Sequence, residues 1–130
     1  MNIQNLLLPM NKKLNEILAA IIIDNDLGRT AFTLNFRDPS YSADSGGFHT
    51  VELRVNEQEL IQYITDFAYV GHGPYAELVK EIDFGFQHKR FTHIGRNYPI
   101  AHGAELFKIW QKNFVAYYNM GIYDLEVNSS

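Results

Sequence analysis

Hydrophobic and polar positions alternate with three different rhythms along this chain. From Pro9 to Ile23, the apolar residues Met10, Leu14, Ile17, Leu18, Ile21 and Ile22 recur at three- and four-residue steps among Asn11, Lys12, Lys13, Asn15 and Glu16. That spacing predicts a helix with one apolar stripe, with Pro9 at its first position and Asp24-Asn25-Asp26-Leu27-Gly28 as its stop. The period then falls to two. Phe32, Leu34 and Phe36 alternate with Thr33, Asn35 and Arg37, and His49, Val51, Leu53 and Val55 alternate with Phe48, Thr50, Glu52 and Arg54, as half-buried strands do. These two strands are expected to pair antiparallel across the long connection between them.

Beyond the polar turn Asn56-Glu57-Gln58, residues 60–70 are β-branched and aromatic and read as a strand covered on both faces. Gly71-His72-Gly73-Pro74 breaks the run, and residues 75–81 carry no periodicity that separates a helical turn from a strand start. Ile82, Phe84 and Phe86 alternate again, and Gln87-His88-Lys89 turns the chain into residues 90–94, a second hairpin. Leu106, Ile109, Trp110, Phe114 and Tyr117 mark a helix over 105–118 that Gly121 closes. Residues 122–127 read as a last strand and Asn128-Ser129-Ser130 as a frayed end. The fold class is therefore a single α+β domain over residues 1–130. Its mainly antiparallel, aromatic-rich sheet carries the N-terminal and C-terminal helices, with at least one face fully covered.

Composition narrows this picture. Nine Phe, eight Tyr and 46% hydrophobic residues belong to a folded core. The absence of Cys removes disulfides, thiolate metal sites and thiol nucleophiles together, and favours a cytoplasmic setting. Leu6-Leu7-Leu8, ended by Pro9 and followed by Lys12 and Lys13, has the wrong length and charge order for a secretory leader, and no run is long enough to span a bilayer. A net charge of −4 opposes nonspecific attraction to nucleic acid or anionic lipid.

The candidate chemistry gathers around the long connection. Asp38-Pro39 opens a turn in which the Asp side chain accepts from an amide two residues on, and Gly46-Gly47 allows positive φ where the chain re-enters the sheet. Arg37, Asp38, Tyr41, His49, Glu52 and Arg54 are the candidate binding residues, with Asp66 expected to join their polar face. Two functions compete there. One is a non-enzymatic binding or accessory module that presents the 37–49 loop to a protein or a small anionic ligand held by Arg37 or Arg54. The other is a hydrolase-like or isomerase-like enzyme that moves a proton with His49 and Glu52 or Asp38. Simple cross-strand pairing, Arg37 with Glu52 and Arg54 with Asp66, with His49 a satisfied semi-buried histidine on a core face, accounts for the same residues without any function. A third reading rests on residues 88–98, where Lys89, Arg90 and Arg96 interleave with Phe91 and Tyr98 as in single-stranded nucleic-acid grooves. The overall negative charge makes nucleic acid an unfavoured partner. Five histidines without metal-ligand spacing predict no metal site and no cofactor.

The run from Asn35 to His49, followed by Val51-Glu52-Leu53-Arg54 and later by Tyr63-Ile64-Thr65-Asp66-Phe67-Ala68-Tyr69-Val70-Gly71, resembles the bacterial family catalogued as domain of unknown function 2787. The resemblance extends from about Leu14 onward, with Thr50 standing where Pro often follows the His. It implies a small cytoplasmic protein, sometimes carried on mobile genetic elements, and brings no activity, substrate or catalytic residue with it.

Overall fold

The computed structural model describes residues 7–129, so Leu6 of the short apolar run and Ser130 of the expected frayed end lie outside the described residues. Helix α1 spans Lys12–Asp24. It begins later than the proline suggests, because Asn11 is its cap: the Asn11 side chain accepts from the amides of Lys13 and Leu14. The strands that follow are β1 (Phe32–Arg37), β2 (Thr50–Val55), β3 (Ile61–Val70), β4 (Glu77–Gly85), β5 (Arg90–His93), β6 (Arg96–Pro99) and, after helix α2 (Ala104–Asn119), β7 (Asp124–Ser129).

All pairings are antiparallel, and the strand order is β6-β5-β4-β3-β2-β1-β7. The β1–β2 hairpin runs from Phe32 opposite Val55 to Phe36 opposite Val51, the register that puts both apolar sets on one face. Three elements depart from the sequence reading. Residues 77–81, which had no decisive pattern, extend β4 toward its N-terminus after a short helical turn at Gly73–Tyr75. Ile94 and Gly95, both at positive φ, make a tight turn that adds β6. Asn128 and Ser129 are not frayed, since β7 pairs with β1 as far as Ser129 opposite Phe32.

Both helices contribute to one core on one side of the sheet. Leu14, Leu18, Ile21 and Ile22 of α1 and Phe107, Trp110, Phe114 and Val115 of α2 meet Phe32, Leu34, Phe36, Val51, Leu53, Ile64 and Phe84. Within this core Phe84 touches the rings of Phe91, Phe107 and Trp110, and Phe36 touches Phe114, Tyr118 and Tyr123 edge-on. The buried face of α2 is rotated from the one its apolar spacing predicts: Phe107 is inside, Leu106 only partly, and Ile109 is 55% exposed. Gln111 supplies the reason. It is buried against α1, where its Oε1 accepts from the Asn11 amide and its Nε2 donates to the Pro9 carbonyl. The opposite face of β3 is not covered as expected. There Tyr63 donates to Glu52, Thr65 to Asp83, and Arg54 to Gln62 and Thr33, a polar network across the strands. No helix among the described residues is long and apolar enough to cross a membrane.

This packing predicts a contrast between two apolar side chains. Phe36→Ala should lower unfolding stability by about 3–5 kcal/mol in urea melts, because it empties a fully buried site. Ile109→Ala should change it by less than about 0.5 kcal/mol. Equal effects would place the buried face of α2 elsewhere.

Candidate functional site

The connection between β1 and β2 is held by one buried carboxylate. Asp38 Oδ1 accepts from the amide and the hydroxyl of Ser40, and Oδ2 accepts from the amide of Phe48 on the far side of the loop. These bonds, the one from Phe48 foremost, hold the Asp38 carboxyl below its ordinary 3.8. Gly46 and Gly47 both take positive φ, as the turn requires. At Gly47 a β-carbon would also lie 2.9 Å from Tyr41 Cα and 3.0 Å from Asp38 Oδ2, so the returning chain passes where only glycine fits. Tyr41 fastens the loop to the sheet, its hydroxyl accepting from the Tyr69 amide at 2.8 Å and its ring lying 4.9 Å from that of Tyr69.

The loop delivers His49 to the helix side of the sheet. His49 Nδ1 lies 2.7 Å from Asp66 Oδ1 and 3.3 Å from Glu81 Oε2. The other oxygen of Asp66 accepts from Trp110 Nε1 at 3.0 Å, so a single side chain on β3 holds both the loop end and α2. Two irregularities in pairing create this meeting. The β2–β3 register shifts between Arg54 and Val55, which leaves Asp66 on the same face as Ile64 and opposite Val51. The β3–β4 register shifts between Asp66 and Phe67, where Asp66 faces Ile82 and Phe67 faces Lys80. Glu81 is the extra residue of that bulge, and its side chain turns toward His49 beside Ile82. The bond to Asp66 raises the His49 pKa above 6.5, against the opposing effect of burial and with added help from the charges of Asp66 and Glu81.

These groups form the polar end of a groove of about 390 Å³, whose walls include Phe48, Leu106, Ile109, Trp110, Tyr117 and Tyr123. Burial pushes the Tyr123 hydroxyl well above its ordinary range, so this ring is a neutral wall. Among the described residues, Asp66 and Glu81 are the acids lining the groove, and neither Lys nor Arg lines it. Chemically, the arrangement can accept a hydrogen-bond donor or a positive charge beside aromatic faces. The His49, Asp66 and Glu81 donor atoms also all lie within 4.8 Å of one another, close enough to share one cation.

The expected site residues are divided between the two faces of the sheet. Arg37, Asp38, Tyr41 and Glu52 border a separate hollow of about 560 Å³ with Asn35, Thr50 and Phe67. Among the described residues Arg37 and Glu52 form no ion pair: Glu52 instead accepts from Tyr63 at 2.6 Å, and this bond together with burial pushes the Tyr63 hydroxyl up to about 12. Arg54 bonds Gln62 and Thr33 and does not meet Asp66. His49 is therefore brought to Asp66 and Glu81, and to neither Glu52 nor Asp38. In the basic segment, Arg90 Nε donates to Asn97, Phe91 is buried, and Tyr98 packs partly against the core, which leaves Lys89 and Arg96 exposed without the ring platform expected beside them. Sequence reading missed Glu81, Trp110 as a polar partner, and the face of Asp66. Only Trp110 carried a usable signal, since a buried indole N–H needs an acceptor.

The family model described as Protein of unknown function (DUF2787) matches residues 9–128, and the chain belongs to that family. Two solved structures share its fold at a TM-score of 0.80. One is the hypothetical protein from the VSP-II pathogenicity island of Vibrio cholerae, 34% identical, with 98% of this chain and 97% of that one covered. The other is the conserved hypothetical protein from pathogenicity island VPI-2 of Vibrio cholerae O1, 33% identical, with 98% of each chain covered, itself described as sharing structural homology with the human P32 protein. No curated protein matches the sequence.

The Asp38 clasp has a testable pH signature. A carboxyl whose pKa is lower in the folded state contributes fully above its unfolded value and loses that contribution as pH falls through the folded one. The stability advantage of wild type over Asp38→Asn, read from urea midpoints, should be largest at neutral pH and shrink below about pH 4. A gap independent of pH would show that Asp38 holds the loop without its charge.

Proposed function

We propose that this member of the family is a non-enzymatic binding module whose ligand seats its positively charged head at Asp66, Glu81 and His49 and its apolar body along α2. The observation that carries the reading is the convergence of two carboxylates on one imidazole nitrogen at the end of an aromatic groove that neither Lys nor Arg lines. Carboxylates and ring faces both favour a cation, and partial shielding from water strengthens each attraction. The 37–49 loop serves this site by delivering His49 and Phe48, while Asp38 and Tyr41 are occupied in holding the loop itself.

A small anion is the weaker ligand for this groove, because the arginines that would grip it, Arg37 and Arg54, lie on the opposite face. Catalysis draws less support, since His49 has Asp66 as an orienting partner but, among the described residues, no Ser, Thr or Cys lines the groove to act as a nucleophile. The head of the ligand is an ammonium or guanidinium on a small molecule or on a protein partner. A cytoplasmic setting is proposed on the cysteine-free composition.

A matched pair of probes tests the charge preference. Tyramine should shift the Trp110 indole N–H resonance with a dissociation constant on the order of millimolar or tighter, whereas 4-hydroxyphenylacetate should not. Glu81→Gln should weaken the tyramine response. Binding of the carboxylate in place of the amine would overturn the proposal.

A further inference from the structure

The donor atoms at the polar end of the groove are of two kinds, and the nitrogen narrows which cation they suit. An ammonium head is satisfied by carboxylates alone, whereas here an imidazole nitrogen and two carboxylate oxygens converge from three different parts of the chain: the loop end, β3 and the β4 bulge. We infer that His49 Nδ1, Asp66 Oδ1 and Glu81 Oε2 form a three-donor site for a divalent transition-metal ion of the zinc type, with its remaining coordination position open to the groove. This deepens the cation-binding reading and rests on it for the preference of the site for positive charge.

The geometry suits the ion. Metal–ligand bonds of about 2.0–2.2 Å in a tetrahedral site place donor atoms roughly 3.4 Å apart. Glu81 Oε2 already lies 3.3 Å from Nδ1, and Asp66 Oδ1, at 2.7 Å, has only a short distance to open. Mixed nitrogen and oxygen donors suit zinc and its neighbours, while magnesium and calcium prefer oxygen alone. Asp66 is also oriented from behind by Trp110 Nε1 on its other oxygen, the kind of outer hydrogen bond that holds a ligating carboxylate in position. The partly exposed side chains of His49 and Glu81, at 37% and 34%, leave room for water or a ligand atom as the fourth donor. When the ion enters, it replaces any proton on Nδ1, which leaves to solvent.

The three-donor cluster leaves out the other histidines: His93, in β5 opposite Ile82, is a strand away, and His88 lies in the short helical turn Phe86–His88 after β4. They provide the control. Zn²⁺ titrated calorimetrically into the intact chain should show one site, and Co²⁺ should give the visible absorption of a low-coordinate nitrogen–oxygen site. Trp110, the sole tryptophan, reports the same event by its fluorescence. His49→Ala and Glu81→Gln should each weaken Zn²⁺ at least tenfold, with folding checked by circular dichroism, and His88→Ala, at an exposed position in the Phe86–His88 turn, should leave it unchanged. Absent Zn²⁺ binding, or binding that survives both cluster variants, overturns the metal site. Tyramine binding in that same case leaves the cation groove standing, and loss of both ends both readings.

Discussion

One carboxylate joins the parts of this molecule that matter for function. Asp66 sits on β3 with its side chain only 13% exposed, and each of its oxygens holds a different element: Oδ1 the loop end through His49, Oδ2 helix α2 through Trp110. A carboxylate so enclosed persists because each oxygen has a donor, and charge-assisted bonds of this kind are stronger than neutral ones. Removal of either donor would leave a charge short of a partner in a shielded place. The loop end and helix α2 are thus tied to the same group, which is also one of the two acids of the groove.

The division of chemistry between the two sheet faces follows from alternation. Along β2, Val51 and Leu53 enter the core while Thr50, Glu52 and Arg54 face the polar network, so no side chain of that strand serves both sides. The acids of the groove are therefore separated by the sheet from Arg37, Glu52 and Arg54. Proximity along the sequence, which suggested one site built from His49 and its neighbours, is undone by this two-residue period. Tyr41 links the sides, packing on Tyr69 while its ring lies 5.5 Å from that of His49.

What the chain reveals on reading alone is what local physics controls. The apolar period of β1 and β2, the Asp38-Pro39 turn with its bond to the Ser40 amide, and Gly121 at positive φ after α2 are all carried by neighbouring residues. The groove was not legible, because it depends on two register shifts. A bulge adds a residue to one strand without leaving a mark in composition, and after it every side chain changes face. Counting forward by two from Ile64 places Asp66 with the core, whereas grouping it with Arg54 by charge places it with the polar set, and only the pairing decides. Likewise, the buried side of α2 was obscured by Gln111, a polar residue that earns its place inside through two bonds to residues about a hundred positions away. The extension of β4 through Glu77 depended on its partner strand, since β3 supplies the hydrogen bonds that its own sequence does not demand.

The central claim is that Asp66 couples the loop end to α2, and amide and indole hydrogen exchange in Asp66→Ala measures that coupling most directly. Exchange at the Trp110 indole and at the Phe48 amide, which Asp38 holds at the loop end, should accelerate together relative to core amides such as that of Leu34, which report global opening. Glu81→Ala, which removes the longer 3.3 Å contact to His49 but no bond to α2, should leave the Trp110 indole near wild type. Unchanged protection at Phe48 in Asp66→Ala, or acceleration spread evenly over the core, would contradict the account.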